Sequence, residues 1–497
     1  MCYRILILVA LVFTVSCGQD QVFSVSPSPK FIQFSFLASD NPSLLDDVVM
    51  SIDGSAITGR LPDNVSVKTL VASFETNGAK VYVSDIEQIS GQSQNDFTDI
   101  VDYRMVSVSE TQPVNVTVDL LSFTGIPIVY ISTEAMEVID SRDDYVVGSV
   151  VVDGKRFFES FTAPMKIRGR GNSTWSHPKK PFQMKLNDKN SFLGMPEDKK
   201  WLFLAEYSDK TLLRNRLVFE LGRLSSLDWT PSGRFAEVYI NDLYNGTYNI
   251  TQKVEEGKHR VDIGEGGFLL EIDQIHRLDP DDVYFYGKDS LFNIKEPNLQ
   301  SGDTQYKFIE NFLNQFEEAL HGSDFADPEV GYLSYIDLDS FIDWYLINEI
   351  SKNQDSVSWS SIYLTLKPGG KIKMGPLWDY DLSFGNVDYS DAEYPEGWWI
   401  KSNTWYARLF QDPVFVEKVK ERFSYYKQNE TLILGYINML ADKLRFAQAT
   451  NNEKWETIGM YVWPNPVVYD TYDEEVSHLK NWYSARMDWL DDNLSSL

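Results

Sequence analysis

The 497-residue sequence predicts an α+β protein in which a small all-β domain precedes a larger domain of mixed strands and helices. The chain is too long for one ordinary core, because domains usually hold roughly 100 to 200 residues. Apolar residues repeat with a period of two in the first quarter of the chain. Helical apolar spacing appears only after about residue 126, which indicates where the second domain begins.

The first 17 residues are typical of an export signal. Arg4 precedes an apolar run over 5–15 that has the length of a signal-peptide core and is too short to span a bilayer. The run ends in the letters TVSCG around Cys17, which are similar to a bacterial lipobox; a simple secretory signal with an incidental cysteine is the alternative. We expect a lipoprotein signal peptide over 1–17, a lipid on Cys17 and a tether over 18–28.

These features predict a location in the cell envelope, facing outward. No later segment has about 18 consecutive apolar residues, so the sequence predicts membrane attachment through the lipid anchor only.

Short alternating runs over 29–124 predict an immunoglobulin-like β-sandwich. The runs are separated by turn signals at Asp53-Gly54 and Asn77-Gly78. No cluster of catalytic residue types lies within them, so we expect a spacer or adhesive module. The alternating apolar residues are Ile32, Phe34 and Phe36, then Val81 and Val83, then Val114, Val116 and Val118.

The larger domain, over 126–495, contains three segments with apolar residues at helical spacing. They lie at 209–223, 338–352 and 476–490, and Asp209 is placed to cap the first. Such stripes usually pack into a core, so we attach no chemistry to them.

Charge is unevenly distributed along the sequence. The chain has 45 Lys and Arg against 73 Asp and Glu, a formal net charge of −28, which makes nucleic acid an unlikely partner. A basic island between Ser160 and Asn187 reverses this balance, because it holds no acidic residue. Its cations are Lys166, Arg168, Arg170, Lys179, Lys180 and Lys185.

Within the island, the turn from Arg168 to Trp175 (RGRGNSTW) has the composition of an anion-binding loop. Its glycines let the backbone approach a ligand closely, and the side chains of Asn172 and its neighbours are able to donate to phosphate oxygens. It is not a Walker A loop, because no Gly-Lys-Ser/Thr follows. A solvated strand edge is the alternative interpretation.

A pair of carboxylates, Asp379 and Asp381, predicts a metal site. At positions i and i+2 of an extended strand, both would point to one side and could share a hard cation such as Mg²⁺ bridging nucleotide phosphates. The flanking Leu377, Trp378 and Phe384 predict partial burial, and buried carboxylates need a cation or donors. A solvated pair in a loop is the alternative.

Asp355 lies at a predicted helix end, 24 residues before Asp379. Protein kinases likewise separate a proton-accepting Asp from a metal-binding Asp by a short hairpin. The five histidines are dispersed without zinc-ligand spacing, so a zinc hydrolase is disfavoured.

Several motifs in order resemble the spore-coat protein H (CotH) kinase family over roughly 126 to 495. The most specific are RGNSTW at 170–175 and WDYD at 378–381. The others are KKPF at 179–182, WLFL at 201–204, LRN at 213–215, NDLYNGTY at 241–248 and NQD at 353–355.

The resemblance implies an atypical protein-kinase-like fold that transfers phosphate from ATP to Ser or Thr of exported proteins, with Mg²⁺ or Mn²⁺. By position, Asp355 looks like the catalytic base and Asp379 and Asp381 like the metal ligands. Lys185 is a candidate for the nucleotide phosphates, with Arg168, Arg170, Asn172 and Arg214 as further candidates.

Two positions depart from the expected pattern. Ser360 stands where kinases have a metal-binding Asn, and Gln252 stands where an acidic partner for the nucleotide-binding lysine is expected. Glu255 or Glu220 could substitute for that acid. A catalytically degenerate surface lipoprotein that binds glycan or protein, for example through Trp398-Trp399, is therefore the alternative function.

Overall fold

The computed structural model describes residues 28–62, 65–107, 114–357 and 359–497. The chain forms two compact units that divide between Leu121 and Ser122, and each has a hydrophobic core of its own. The predicted signal peptide, Cys17 and all but the last residue of the predicted tether lie outside the described residues.

The described part of the first unit is all β. Its sheets have the orders β2-β1-β6, β3-β4-β11-β10-β7-β8 and β5-β9. The two larger sheets share one core, in which Phe34 of β1 meets Tyr103 of β10 edge to face at 5.5 Å. The strands are β1 (Phe31–Phe36), β2 (Val48–Val49), β3 (Ser51–Asp53), β4 (Ala56–Leu61), β5 (Leu70–Val71), β6 (Ser73–Thr76), β7 (Lys80–Val83), β8 (Ile86–Glu87), β9 (Gln94–Asn95), β10 (Val101–Val106) and β11 (Val114–Ser122).

The predicted alternation in β1 is wrong at Ile32, which is exposed, and at Ser35, which is buried. The pairing of β1 with β6 shifts register between Phe31 and Gln33. Because such an irregularity reverses the side-chain order locally, Phe31 is buried and Ile32 is 53% exposed. Phe34 and Phe36 are buried as predicted.

The second unit begins with a closed seven-stranded barrel, ordered β12-β13-β14-β15-β16-β18-β17. Parallel pairing of β12 with β17 closes it, and the other pairs are antiparallel. The strands are β12 (Ile128–Thr133), β13 (Val146–Asp153), β14 (Phe161–Gly169), β15 (Phe182–Phe192), β16 (Met195–Leu204), β17 (Gly233–Ile240) and β18 (Leu243–Gln252).

An antiparallel sheet, ordered β20-β21-β19-β22-β23, and a set of helices complete this unit. These strands are β19 (Phe268–Ile272), β20 (Val283–Tyr286), β21 (Leu291–Glu296), β22 (Ile362–Leu366) and β23 (Ile372–Met374). The helices are α1 (Arg214–Arg223), α2 (Thr304–His321), α3 (Leu338–Ser351), α4 (Gln354–Val357), α5 (Thr404–Leu409), α6 (Pro413–Gln428), α7 (Glu430–Lys443), α8 (Ala447–Trp455) and α9 (Tyr472–Asn493).

The mixture of helices and several sheets confirms the α+β prediction. The helices expected at 338–352 and 476–490 are α3 and part of α9. The helix expected from Asp209 begins later, at Arg214, because the Asp209 carboxylate accepts the Thr211 and Arg214 N–H groups and holds a turn before it. Within the described residues, no helix has the length and apolarity needed to cross a membrane.

The strand period explains how polar side chains reach the outside of the barrel. Met165, Ile167, Met184 and Trp201 fill its interior, so the side chains between them on β14 to β16 face outward. On that outer face, Leu202 belongs to a small apolar cluster with Leu269, Tyr363 and Trp378 of the second sheet and its following loop. The outer barrel face therefore meets the second sheet, and a candidate site lies along their junction.

Candidate active site

Three carboxylates predicted from the sequence come together at this junction. Asp355 lies on the short helix α4, and Asp379 and Asp381 lie after β23. The predicted strand over the aspartate pair is wrong: the segment is a loop, and Asp379 has a left-handed backbone with φ of 66°. All three side chains remain partly exposed, so a ligand can reach them.

The carboxyl groups of Asp355 and Asp379 share a hydrogen bond in which Asp355 is the donor. Burial, followed by the charge of Asp379, raises the pKa of Asp355 to about 7. Burial also raises the pKa of Asp379, and burial with the neighbouring carboxylates raises that of Asp381. The cluster therefore holds protons that a bound cation would displace.

Two arginines partly neutralise this cluster. Arg170, predicted as a phosphate contact, lies 5.4 Å from the Trp378 ring centroid and acts electrostatically on Asp379, whose pKa it lowers. Arg277 places Nη2 3.9 Å from Asp355 Oδ1 and lowers the pKa of both Asp355 and Asp379. Arg277 carried no sequence motif and was not predicted.

Ser360 also lies in the site, but its hydroxyl is occupied. Its Oγ donates to Asp273 Oδ1 at 2.5 Å and accepts from Arg277 Nη1 at 2.6 Å. The residue in the position of the metal-binding Asn of kinases therefore orients Arg277 beside Asp355.

Lysines line the barrel side of the site. Lys185 on β15 lies directly between Lys166 on β14 and Lys200 on β16. Like charges in opposing positions repel, and within the described chain Lys185 has no ion pair or hydrogen bond. An anionic ligand would relieve this repulsion.

Lys200 and Lys253, which were not predicted, extend this lysine face. Lys200 Nζ lies 2.6 Å from Glu255 Oε2, and Lys253 Nζ lies 3.9 Å from the same oxygen. Burial lowers the pKa of Lys253 to about 8, although Glu255 acts in the opposite direction. Arg168 contributes to the positive potential at Lys253, and its Nη1 donates to the Asp143 carbonyl at 3.4 Å.

Neither of the two acids that could replace the one missing at Gln252 pairs with Lys185 in the described chain. Gln252 is buried and has a structural role, since its amide contacts the Ser232 N–H and the His259 carbonyl. Glu220 pairs with Arg223 on α1 and takes no part. Glu255 instead contacts Lys200, Lys253 and Arg260.

Two further predicted phosphate contacts interact with other parts of the chain. Arg214 is buried, with Nη1 2.5 Å from Asp209 Oδ1 and Nε donating to the Ser383 carbonyl at 2.9 Å. It positions the loop after Asp381. Asn172 is exposed and accepts from Arg142 Nη1 at 3.5 Å.

The residues fit a metal–nucleotide complex better than a metal alone. Within the described residues, no group of three or more His, Cys, Asp or Glu side chains is arranged to hold a metal ion. Mg²⁺ is usually bound by one or two carboxylates together with phosphates and water. Asp379 and Asp381, with the lysine face opposite, match that requirement.

Sequence reasoning missed Lys200, Lys253, Glu271, Asp273 and Arg277. Glu271 and Asp273 lie on β19 and directly after it, and Lys295 Nζ lies 3.4 Å from Glu271 Oε2. Lys200 had a usable signal, because it stands directly before the apolar run WLFL within β16 and, next to the inward-facing Trp201, faces away from the barrel interior.

Comparisons with known proteins agree with these features at the level of family. The chain belongs to the CotH family, since the family model described as "CotH kinase protein" matches residues 167–490. No curated protein matches the chain.

A solved structure that matches is a "putative glycoside hydrolase" from Bacteroides thetaiotaomicron VPI-5482. It is 10% identical, and the alignment covers 58% of this chain and 88% of that chain with a TM-score of 0.17. So low a score carries no argument about fold or function.

Proposed function

We propose that the second unit is an atypical protein kinase that transfers the γ-phosphate of ATP to a Ser or Thr hydroxyl of exported proteins. The observation that supports it most is the meeting of two opposite charge clusters. Asp355, Asp379 and Asp381 form one cluster, and the lysines of β15 and β16 lie on the outer barrel face, whose Leu202 shares an apolar cluster with Trp378 beside Asp379. Phosphoryl transfer depends mainly on positioning and charge neutralisation, which such a pair of surfaces provides.

We assign each charged side chain of the candidate site a role in phosphate transfer. Lys185, Lys200, Lys253 and Arg168 bind the nucleotide phosphates, with Glu255 fixing Lys200. Asp379 and Asp381 would hold Mg²⁺ or Mn²⁺, which would supply charge neutralisation at the phosphates. In its deprotonated form, Asp355 would accept the proton of the attacking hydroxyl.

The remaining parts of the proposal follow from the sequence. We take the second unit to be kinase-like in fold and the first unit to be an immunoglobulin-like spacer. Cys17 would carry a lipid that holds the protein on the outside of the cell envelope, where nucleotide and an exported protein substrate are its partners.

The test is transfer of labelled γ-phosphate from ATP, with Mg²⁺ or Mn²⁺, onto a mixture of exported proteins. Asp355→Asn and Asp379→Asn should abolish the label without changing the melting temperature by more than a few degrees. Asp188→Asn, which changes an exposed carboxylate outside the cluster, is the matched control. Equal labelling by all four proteins, or none by any, would contradict the proposal.

One observation favours the alternative, a surface protein that binds glycan or protein without catalysis. Trp398 packs against Trp489, and Trp399 donates to the Asn353 carbonyl. The two rings therefore do not form a binding platform. Tyr389 and Trp463, however, stack at 5.8 Å with both rings about half exposed. Glycan binding that is lost in Trp463→Ala, without phosphate transfer by the wild type, would support this alternative.

A further inference from the structure

A second group of cations lies outside the candidate active site. Arg216 comes from α1, Arg234 from β17 and Lys443 from the last position of α7. We call them the three-cation cluster. In a chain of net charge −28, cations usually have carboxylate neighbours, so a cluster without them needs an explanation.

The two arginines converge on one carbonyl group. Nη1 of Arg216 and Nη1 of Arg234 both donate to the Gly233 oxygen, the latter at 2.8 Å. The residue at 233 must be small, because an added Cβ would lie 3.2 Å from Arg216 Cδ and 2.5 Å from Asn249 Oδ1. The Gly233 carbonyl therefore holds the guanidinium groups of Arg216 and Arg234 close to each other.

Arg216 has unused hydrogen-bonding capacity. Its side chain is buried, with the residue only 7% exposed, and Nη2 donates to the Tyr436 hydroxyl at 2.9 Å. Its Nε is buried and has no hydrogen-bond partner among the described atoms. Buried donors are rarely left unpaired.

No carboxylate compensates the cluster. Within the described residues, none of its three members forms an ion pair with Asp or Glu; Glu220, one turn along α1 from Arg216, is paired with Arg223 at 2.7 Å. Burial and the two arginines lower the pKa of Lys443, which is the expected effect of uncompensated positive neighbours.

Aromatic rings border the cluster on its solvent side. The loop after β13 places Phe157 and Phe158 beside it: Lys443 Nζ lies 5.9 Å from the Phe157 ring centroid, and the Arg234 guanidinium lies 5.8 Å from that of Phe158. The Lys443 side chain is only partly buried, so an anion can approach it from solvent.

We infer that the three-cation cluster binds a phosphate group, either as free phosphate or as the phosphate of a phosphoserine or phosphothreonine side chain. Guanidinium groups match tetrahedral oxyanions through several parallel N–H donors. The ligand would compensate three positive charges that the chain leaves unpaired. This site does not depend on the proposed kinase activity.

Calorimetric titration of the full chain tests the inference, with inorganic phosphate and with a phosphoserine peptide as separate probes. The double substitution Arg234→Gln with Lys443→Gln should weaken phosphate binding at least tenfold, while Lys307→Gln, at an exposed lysine of α2 outside both sites, leaves it unchanged. Both altered side chains of the double variant reach the surface, so circular dichroism should show an unchanged fold.

The two probes separate the sources of the phosphate. The site binds a phosphoprotein if the phosphoserine peptide binds more tightly than free phosphate and the unphosphorylated peptide does not bind. It binds the free ion if the phosphoserine peptide and free phosphate have equal affinity. Unchanged affinity in the double variant, an equal loss in Lys307→Gln, or no binding by the wild type would overturn the inference.

Discussion

The two sides of the candidate site are built in opposite ways. The carboxylates come from loops and a short helix, and Arg170 and Arg277 partly compensate Asp355 and Asp379. The lysines come from neighbouring strands in register, and Lys185 has no partner in the described chain, whereas Lys200 pairs with Glu255. The acidic side is therefore partly compensated in the free protein, and the basic side contains one lysine that an anion would compensate.

This difference indicates what each side does. A partly compensated cluster keeps its geometry without ligand, which suits groups that must be positioned for chemistry. A row of lysines with an unpaired member gains stability when an anion binds, which suits the recognition of phosphates.

The largest expected effect is on the acidic side. Asp355→Asn keeps the size of the side chain but removes the proton acceptor, so kcat for phosphate transfer should fall about 10²- to 10⁴-fold. The KM for ATP should change little, because Asp355 is not on the phosphate-binding face. Steady-state kinetics with varied ATP measures both constants. A raised KM with unchanged kcat would show that Asp355 contributes to nucleotide binding and not to the chemical step.

Loss of Arg214 should show how far the acidic side depends on internal partners. Its buried pair with Asp209 supports the loop after Asp381. Arg214→Gln leaves Asp209 as an uncompensated buried charge and should lower the free energy of unfolding by about 3 to 5 kcal/mol. Urea denaturation measures this, with Arg223→Gln as the control: that exposed pair should contribute no more than about 1 kcal/mol.

The basic side should respond differently to loss of charge. Lys200→Met should weaken ATP binding about 10- to 100-fold, because it removes a charge-assisted contact. Lys185→Met should also weaken binding, yet without nucleotide it should unfold no more easily than the wild type, or should be more stable by about 0.2 to 1 kcal/mol, since a repulsion disappears. If Lys185→Met instead lowers the free energy of unfolding, Lys185 makes a stabilising interaction that outweighs the repulsion from Lys166 and Lys200.

The smallest expected effect is on the number of protons released when ligand binds. Because Asp355 has a raised pKa of about 7, the free protein should release a proton when Mg²⁺ and nucleotide bind at pH 6, and less at pH 8. Calorimetry in buffers of different ionisation enthalpy counts these protons, and Asp355→Asn should release fewer.

The same pKa shift has a consequence for stability. The unfolded chain loses the Asp355 proton near pH 4, and the folded chain holds it to about pH 7. The stability of the ligand-free protein that comes from this group is therefore complete below about pH 4 and is lost as the pH rises to about 7.

Sequence reasoning identified the acidic side well and the basic side only in part. The aspartates stand in a short motif with apolar flanks, so their burial and proximity could be predicted without the fold. Lys200 and Lys253 are far apart in sequence, and only the pairing of β16 with β18 brings them together. No local pattern encodes that register.

The errors of prediction have local physical causes. Asp379 and Asp381 share a side of the site through a left-handed loop instead of a strand. Ile32 is exposed because a register irregularity shifts the pleat of β1 by one residue. Arg214 was a candidate for phosphate from the family resemblance alone, and its buried pairing with Asp209, five residues earlier, was not predicted.

The central claim is that the two sides form one site for a metal–nucleotide complex. The most direct measurement is the affinity for a non-hydrolysable ATP analogue with and without Mg²⁺, in the wild type and in Asp379→Asn. We expect Mg²⁺ to tighten binding by the wild type and to have little effect on the variant, while Lys200→Met weakens binding under both conditions. Equal affinity of the wild type with and without Mg²⁺, or binding that Lys200→Met leaves intact, would contradict the account.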